Sequence, residues 1–274
     1  MNAGQAAILG VVQGLTEYLP ISSTAHLRIV PAFFGWEDPG AAFTAVVQLG
    51  TMAAVVLYFW RDLVRIARVW FASLRRPHLR STLDARMGWY VIVATIPIGI
   101  FGIIFQDQIE DEARGLALMG TTLIVFGLVL LAADRLGSKT RDVKSVGARD
   151  AVGVGLAQAL ALIPGVSRSG ATISAAMALG LKREAAARFS FLLSVPAIVL
   201  SGLFELVKIV RGDETQAAGA GALLLATFLA FVVGYASIAF LLRWLGSHSL
   251  TIFVVYRVVL GILVLALLGA GLIS

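Results

Sequence analysis

The chain has 274 residues, of which 59% are hydrophobic and 14% charged, and its mean hydropathy is +0.90; this balance excludes an ordinary soluble globular domain and places the chain in lipid. The absence of cysteine excludes disulfides, thiolate catalysis and zinc-thiolate sites. The net charge of +6 does not indicate nucleic acid, because the Lys and Arg residues sit in short connections between apolar segments, where they orient a membrane protein.

The opening residues MNAGQAAILG carry no basic n-region and no small-residue cleavage site, so the N-terminus is expected to stay. Crossing a hydrocarbon core about 30 Å thick takes roughly 20 apolar residues in a helix. Residues 3 to 34 are apolar but broken near Pro20, around Glu17, and neither half is long enough to cross. Residues 41 to 60 form the first full-length uncharged run. The stretch 61 to 86 carries seven Lys or Arg and is amphipathic enough to lie on an anionic leaflet, but its charge favours a solvated cytoplasmic loop. Uncharged runs return at 87 to 105 and 115 to 133, followed by five basic residues in 134 to 149. Residues 151 to 181 are broken again, around Pro164 and Arg168, and 182 to 188 adds three more basic residues. The runs 189 to 204, 216 to 242 and 250 to 274 complete six candidate crossings, the last interrupted only by Arg257.

The positive-inside rule places 61 to 86, 134 to 149, 182 to 188 and 243 to 248 in the cytoplasm. The two broken stretches then read as re-entrant helical hairpins, the first entering from outside and the second from inside, with tips meeting mid-membrane. Gly10, Gln13 and Ser22 recur as Gly155, Gln158 and Ser167 at an offset of 145, and Thr24 corresponds to Ser169. Chance recurrence of small residues in apolar helices is the plain alternative. The expected fold is an all-α polytopic membrane protein, a single membrane domain over 1–274. It has about six transmembrane helices, two re-entrant hairpins and an inverted-topology internal repeat, with halves of about 1–134 and 148–274.

Chemistry concentrates at the two breaks. The first reads QGLTEYLPISSTAH from Gln13 to His26, with Gln13 and Glu17 on one helix face at i, i+4. The second reads PGVSRSGAT from Pro164 to Thr172, a turn followed by a helix that a Ser or Thr can cap. Each break ends at a helix N-terminus, where unpaired N–H groups and a dipole worth about +0.5 charge favour an anion. Arg168 adds planar donors that match phosphate oxygens, and a guanidinium at mid-depth needs an anionic partner, either phosphate or Glu17. Glu17 and His26 taken singly would also fit a satisfied buried acid and an interfacial histidine. Together, a carboxylate, an imidazole, several hydroxyls and an arginine supply a base, an acid, a candidate nucleophile and a charge clamp.

Both motifs resemble the signatures of the bacterial undecaprenyl-diphosphatase, or bacitracin-resistance, family, and the likeness spans the whole chain. The resemblance implies hydrolysis of undecaprenyl diphosphate to the monophosphate and inorganic phosphate, which recycles the cell-wall carrier lipid and confers bacitracin resistance. It implies a bacterial cytoplasmic membrane location with a site facing the periplasm. Carried over by position, Glu17 is the acid of the family's E/Q-x-x-x-E element and Gln13 its first residue. Ser22, Ser23 and His26 match the serine pair and histidine, and Ser167, Arg168, Ser169 and Thr172 match the second motif. Ala25 departs from the family, where glycine is common at that position.

The catalytic set expected on this basis is Glu17, Ser23, His26 and Arg168, with Gln13, Ser22, Thr24, Ser167, Ser169, Gly170 and Thr172 binding the diphosphate. Ser23 or an activated water attacks phosphorus, and His26 and Glu17 handle protons. Glu17 is compatible with a shared divalent cation, Mg²⁺ or Ca²⁺, and no organic cofactor is expected. The expected partners are a polyprenyl diphosphate and the bilayer, with room for a homo-oligomer. Arg28 reads as added positive potential near the phosphates or as an outward-snorkelling side chain. Arg257 reads as an anchor near the cytoplasmic interface or a partner of Glu205 or Asp62. A lipid-phosphate carrier or flippase shares the broken-helix architecture and is the competing class, although transport has no need of the Glu17, Ser23 and His26 cluster.

Overall fold

The computed structural model describes residues 1–105, 115–211 and 219–273. They fold into eleven helices: α1 (Ala3–Tyr18), α2 (Ser23–Phe34), α3 (Gly40–Tyr58), α4 (Trp60–Arg75), α5 (Leu83–Ile104), α6 (Leu116–Leu136), α7 (Ala148–Ala159), α8 (Arg168–Ala178), α9 (Arg183–Arg211), α10 (Ala220–Leu245) and α11 (Thr251–Gly269). Local chemistry sets several starts. Asn2 and Gln5 form a reciprocal capping box at α1, Thr82 caps α5, and Asp150 reaches back 2.8 Å to the Gly147 N–H at α7.

Four of these helices, α5, α6, α10 and α11, are long and apolar enough to cross a membrane, and α3 with α4 would make a fifth if that pair, bent by 75°, is one span. Their outer faces carry Ile100, Leu128, Phe228 and Val259, all exposed, as suits a surface solvated by lipid. The expected crossing at 189 to 204 falls within α9, whose side chains from 201 onward lie outside the described residues, as do residues 212–218 at the start of the expected 216-to-242 run.

The two broken stretches form two helix pairs, α1 with α2 and α7 with α8. The first helix of each pair packs closely on a long helix distant in sequence, α1 on α10 and α7 on α5. At Gly10 in α1 a Cβ would lie 2.4 Å from the Ala226 carbonyl oxygen of α10, and at Gly155 in α7 a Cβ would lie 2.6 Å from Ala94 Cα of α5. These are the positions offset by 145, and at both only glycine permits the backbones to approach so near. Tyr18, Phe59 and Phe191 join the core between α1, α3 and α9, with Tyr18 donating to the Thr51 carbonyl at 2.5 Å.

Ion pairs cluster at the helix ends rich in basic residues. Asp150 takes both terminal nitrogens of Arg141 at 2.7 and 2.9 Å, Asp134 accepts from Arg183 at 2.5 Å, and Asp62 accepts from Arg65 and Arg188 at 2.6 and 3.1 Å. Residues 61 to 86, expected as a solvated loop, are mostly helical: α4 fills the greater part and a short 3₁₀ turn, Pro77–Leu79, follows it. The difference has a packing cause. Trp70 lies against the Gly88 backbone of α5, with its ring 5.3 Å from that of Trp89, so one face of α4 is held on the bundle while its arginines face outward.

Candidate active site

Both helix pairs break in the same way. Helix α1 stops at Tyr18 because Pro20 cannot continue it, and Ser22 then starts α2 with φ 74°, its hydroxyl accepting from the Ala25 N–H. Helix α7 ends at Ala159, Pro164 and Gly165 turn the chain, and Ser167 starts α8 with φ 73°, its hydroxyl accepting from the Gly170 N–H at 3.1 Å. Among the described residues only Ser22, Lys139 and Ser167 are non-glycine residues with positive φ, so two of the three are these caps. Such a backbone costs roughly 1–3 kcal/mol per residue and persists only where the surroundings hold it. The first residues of the capped helices are Ser23 and Arg168, again offset by 145.

These turns meet. Glu17, on the last turn of α1, is buried and accepts four hydrogen bonds. Gln13 reaches one carboxylate oxygen at 2.9 Å and Ser23 the same oxygen at 2.7 Å; Gln48 of α3 reaches the other at 3.3 Å, and Arg168 forms an ion pair with it. Ser169 donates to the Leu19 carbonyl at 3.1 Å, and Thr172 bonds Ser190 of α9 at 2.5 Å, so both hydroxyls tie the second turn to its neighbours. Gly170 has no room for a side chain, since a Cβ would come 2.9 Å from Arg257. Thr24 is exposed at the start of α2.

The structure thus brings Gln13, Glu17, Ser23 and Arg168 into one bonded group and sets Ser22, Ser167, Ser169, Gly170 and Thr172 around it. His26 stands apart from that group. Its Nδ1 bonds the Ser22 carbonyl at 2.7 Å and its Nε2 the Tyr256 hydroxyl at 2.7 Å, the two rings stacking at 5.5 Å. A carbonyl can only accept, so Nδ1 carries a proton, and in the neutral ring Nε2 accepts from Tyr256. Both nitrogens are engaged away from Ser23 and Glu17. Arg28 pairs with Asp38 at 3.4 Å.

Arg257 is neither a surface anchor nor a partner of Asp62. It is wholly buried, 0% exposed, and Asp62 is bound to Arg65 and Arg188 instead; the side chain of Glu205 lies outside the described residues. The guanidinium donates to the carbonyls of Pro20 at 3.1 Å, Gly165 at 3.0 Å, Val166 at 3.1 Å, Thr122 at 3.4 Å and Leu123 at 3.2 Å. Among the described residues no carboxylate pairs with it. Glu17 and Arg168 neutralise one another, so among the described residues the charge of Arg257 meets no counter-charge at the centre. Gln48 and Tyr256 escaped the sequence reading. A lone polar side chain in an apolar run, the signal that picked out Arg257, would have found Gln48 as well.

In chemical terms the centre offers a hydroxyl in contact with a carboxylate, a guanidinium on the same carboxylate, and two helix N-termini whose first N–H groups have no intrahelical acceptor. Residues 6–263 match the family described as Bacitracin resistance protein BacA. The chain belongs to that family. It is 56% identical over 270 residues to the undecaprenyl-diphosphatase of Nocardioides sp., covering 98% of each chain. It is 55% identical over 271 residues to that of Mycolicibacterium smegmatis, again covering 98% of each, and 53% identical over 274 residues to that of Thermobifida fusca, covering 100% of this chain and 93% of the relative. Both turns that build the centre lie inside the matched residues.

Proposed function

We propose that this chain is an integral membrane hydrolase that converts undecaprenyl diphosphate to undecaprenyl phosphate and inorganic phosphate. The reaction recycles the carrier lipid of wall synthesis and confers bacitracin resistance. The observation that carries the reading is the Glu17 carboxylate, which bonds Ser23 and Arg168 at once. A carboxylate 2.7 Å from a hydroxyl is within reach of its proton, and the paired guanidinium lies where a phosphate bound beside that hydroxyl would meet it.

The terminal phosphate of the substrate takes Arg168 from Glu17 and spans the N-termini of α2 and α8. Ser23 Oγ attacks its phosphorus and passes its proton to the freed Glu17 carboxylate. The bond to the bridging oxygen breaks, and undecaprenyl phosphate leaves as an anion that needs no proton. Water then cleaves the phosphoserine: inorganic phosphate keeps the water oxygen, and Ser23 recovers its proton from Glu17. Developing charge on the phosphoryl oxygens falls on Arg168 and on the helix N–H groups, which are already oriented. His26 holds the Ser22 carbonyl from the side and keeps the cap in place.

A hard divalent cation, Mg²⁺ or Ca²⁺, fits the donors here in one way. The Gln13 amide nitrogen faces Glu17 and its oxygen is buried without a partner; with that amide turned over, its oxygen and the Glu17 carboxylate would be the protein groups to hold the ion. When bound, the cation supplies charge neutralisation on the diphosphate. The chain lies in the bacterial cytoplasmic membrane with about six crossings, its two hairpins entering from opposite sides and its site open to the periplasm. The shared backbone at Ser22 and Ser167 and the matching approaches at Gly10 and Gly155 support two halves of inverted topology.

The test is phosphate release from undecaprenyl diphosphate by the purified protein in detergent, with Arg168→Ala beside the wild type. Wild type should release phosphate and the variant should lose at least about a hundredfold in kcat/KM. A wild type that releases none with Mg²⁺ or Ca²⁺ present would overturn the reading.

A further inference from the structure

We propose that Arg257 is a positioning residue for this reaction: one guanidinium that sets both phosphate-facing helix N-termini by holding the turns in front of their caps. The inference deepens the hydrolase reading and rests on it.

The argument begins with which carbonyls Arg257 takes. Pro20 lies two residues before the cap Ser22, and Gly165 lies two residues before the cap Ser167. Nη1 bonds the first at 3.1 Å and Nη2 the second at 3.0 Å, so a single side chain from α11 grips equivalent peptides of the two turns. Nη2 also takes the Val166 carbonyl, next to the cap, and Nε anchors the group on Leu123 of α6 at 3.2 Å. The caps beyond these peptides have φ 74° and 73°, conformations that serine does not hold unaided. Fixing the orientation of the peptide ahead of each cap is a direct way to hold it.

The caps in turn aim Ser23 and Arg168, the first residues of α2 and α8. Loosening one turn therefore displaces the hydroxyl that attacks, and loosening the other displaces the guanidinium that clamps. A filler of cavities would be served by leucine or methionine without burying a charge, which is costly in a membrane. Lysine would keep the charge but lacks the planar fork needed to span carbonyls on three segments. The charge adds a second effect: it faces no carboxylate among the described residues, so it makes the site attractive to an anion before substrate arrives.

The experiment compares purified wild type, Arg257→Lys and Arg257→Met in detergent, measuring kcat and KM for undecaprenyl diphosphate together with melting temperature and monodispersity. The expected result is folded variants whose kcat falls about thirtyfold or more, with KM changed less than kcat and lysine giving little rescue. Either folded variant retaining kcat within threefold of wild type overturns the proposal. So does failure of both variants to fold, because the residue would then hold the fold and not the site. Inactive wild type fails the hydrolase reading and this inference with it; active wild type with active variants fails the inference alone.

Discussion

Replacing Glu17 by glutamine separates its chemistry from its packing. The carboxylate accepts from Gln13 at 2.9 Å and Ser23 at 2.7 Å on one oxygen, and from Gln48 at 3.3 Å and Arg168 on the other. An amide at that position can keep its oxygen toward Gln48 and Arg168 and turn its nitrogen toward Gln13 and Ser23. Both of those partners can reverse. The Gln13 amide oxygen is buried and without a partner, so a flip would offer it to the new N–H₂, and the Ser23 hydroxyl accepts as readily as it donates. The flip leaves the Gln13 N–H₂ in the buried place where its oxygen had no partner, and the Arg168 bond weakens from charge-assisted to neutral, a combined loss of about 2–4 kcal/mol. At about 2–4 °C per kcal/mol the melting temperature should fall by roughly 5–15 °C. On the proposed mechanism, however, the base is gone: kcat should drop by about 10²–10⁴, or roughly 3–5 kcal/mol of barrier. Glu17→Ala differs, because it leaves Arg168 without its counter-charge in a mostly buried place and should cost about 3–5 kcal/mol of stability as well as activity. Phosphate release and thermal melts on the three proteins make the comparison. A glutamine variant with kcat within threefold of wild type would remove Glu17 from the proton transfer.

Ser23→Ala should lose about 10³-fold or more in kcat and form no phosphoenzyme under acid quench from labelled substrate; a phosphoenzyme that survives in it places the nucleophile elsewhere. Gly165→Ala should not yield a stable protein, since φ is 89° and the new Cβ would lie 1.9 Å from the Thr122 hydroxyl, whereas Gly99→Ala, with nothing within 4 Å, should melt slightly higher. If a cation joins Glu17 and Gln13 in holding the diphosphate, EDTA should abolish phosphate release and Mg²⁺ or Ca²⁺ should restore it, while full activity in EDTA removes the ion from the scheme. The chain has no cysteine, so Thr24→Cys at an exposed position gives a single label site: an impermeant maleimide should modify it in intact cells, and labelling only after lysis would put the site on the cytoplasmic side.

Much of the site was legible because its signals are local. Proline stops α1 at a readable place, an i, i+4 pair set Gln13 on Glu17, and serines before a helical run announced the caps. What stayed hidden depends on contacts across the chain. Tyr256 reaches His26 over 230 positions of sequence, and Arg257 reaches Pro20 over 237. No periodicity encodes such pairs, so His26 read as an acid or base and Arg257 as an anchor. The helix α4 was lost for a different reason. Its amphipathic pattern was visible, but seven basic residues argued for water, and the packing of Trp70 on Gly88 that decides the matter joins two segments no local rule connects.

The offset of 145 has a consequence for how activity is built. Ser22 and Ser167 share a backbone, yet the residue that follows is a serine in one turn and an arginine in the other. On the proposed mechanism a nucleophile without its clamp, or a clamp without its nucleophile, does no chemistry, so neither turn alone is a site. The Glu17–Arg168 ion pair and the Arg257 bonds join the two turns. On that reading activity is tied to how the two helix pairs sit in the bundle: substitutions at Gly10 or Gly155, where α1 meets α10 and α7 meets α5, should act on the site through the approach of the backbones although neither residue belongs to the bonded group.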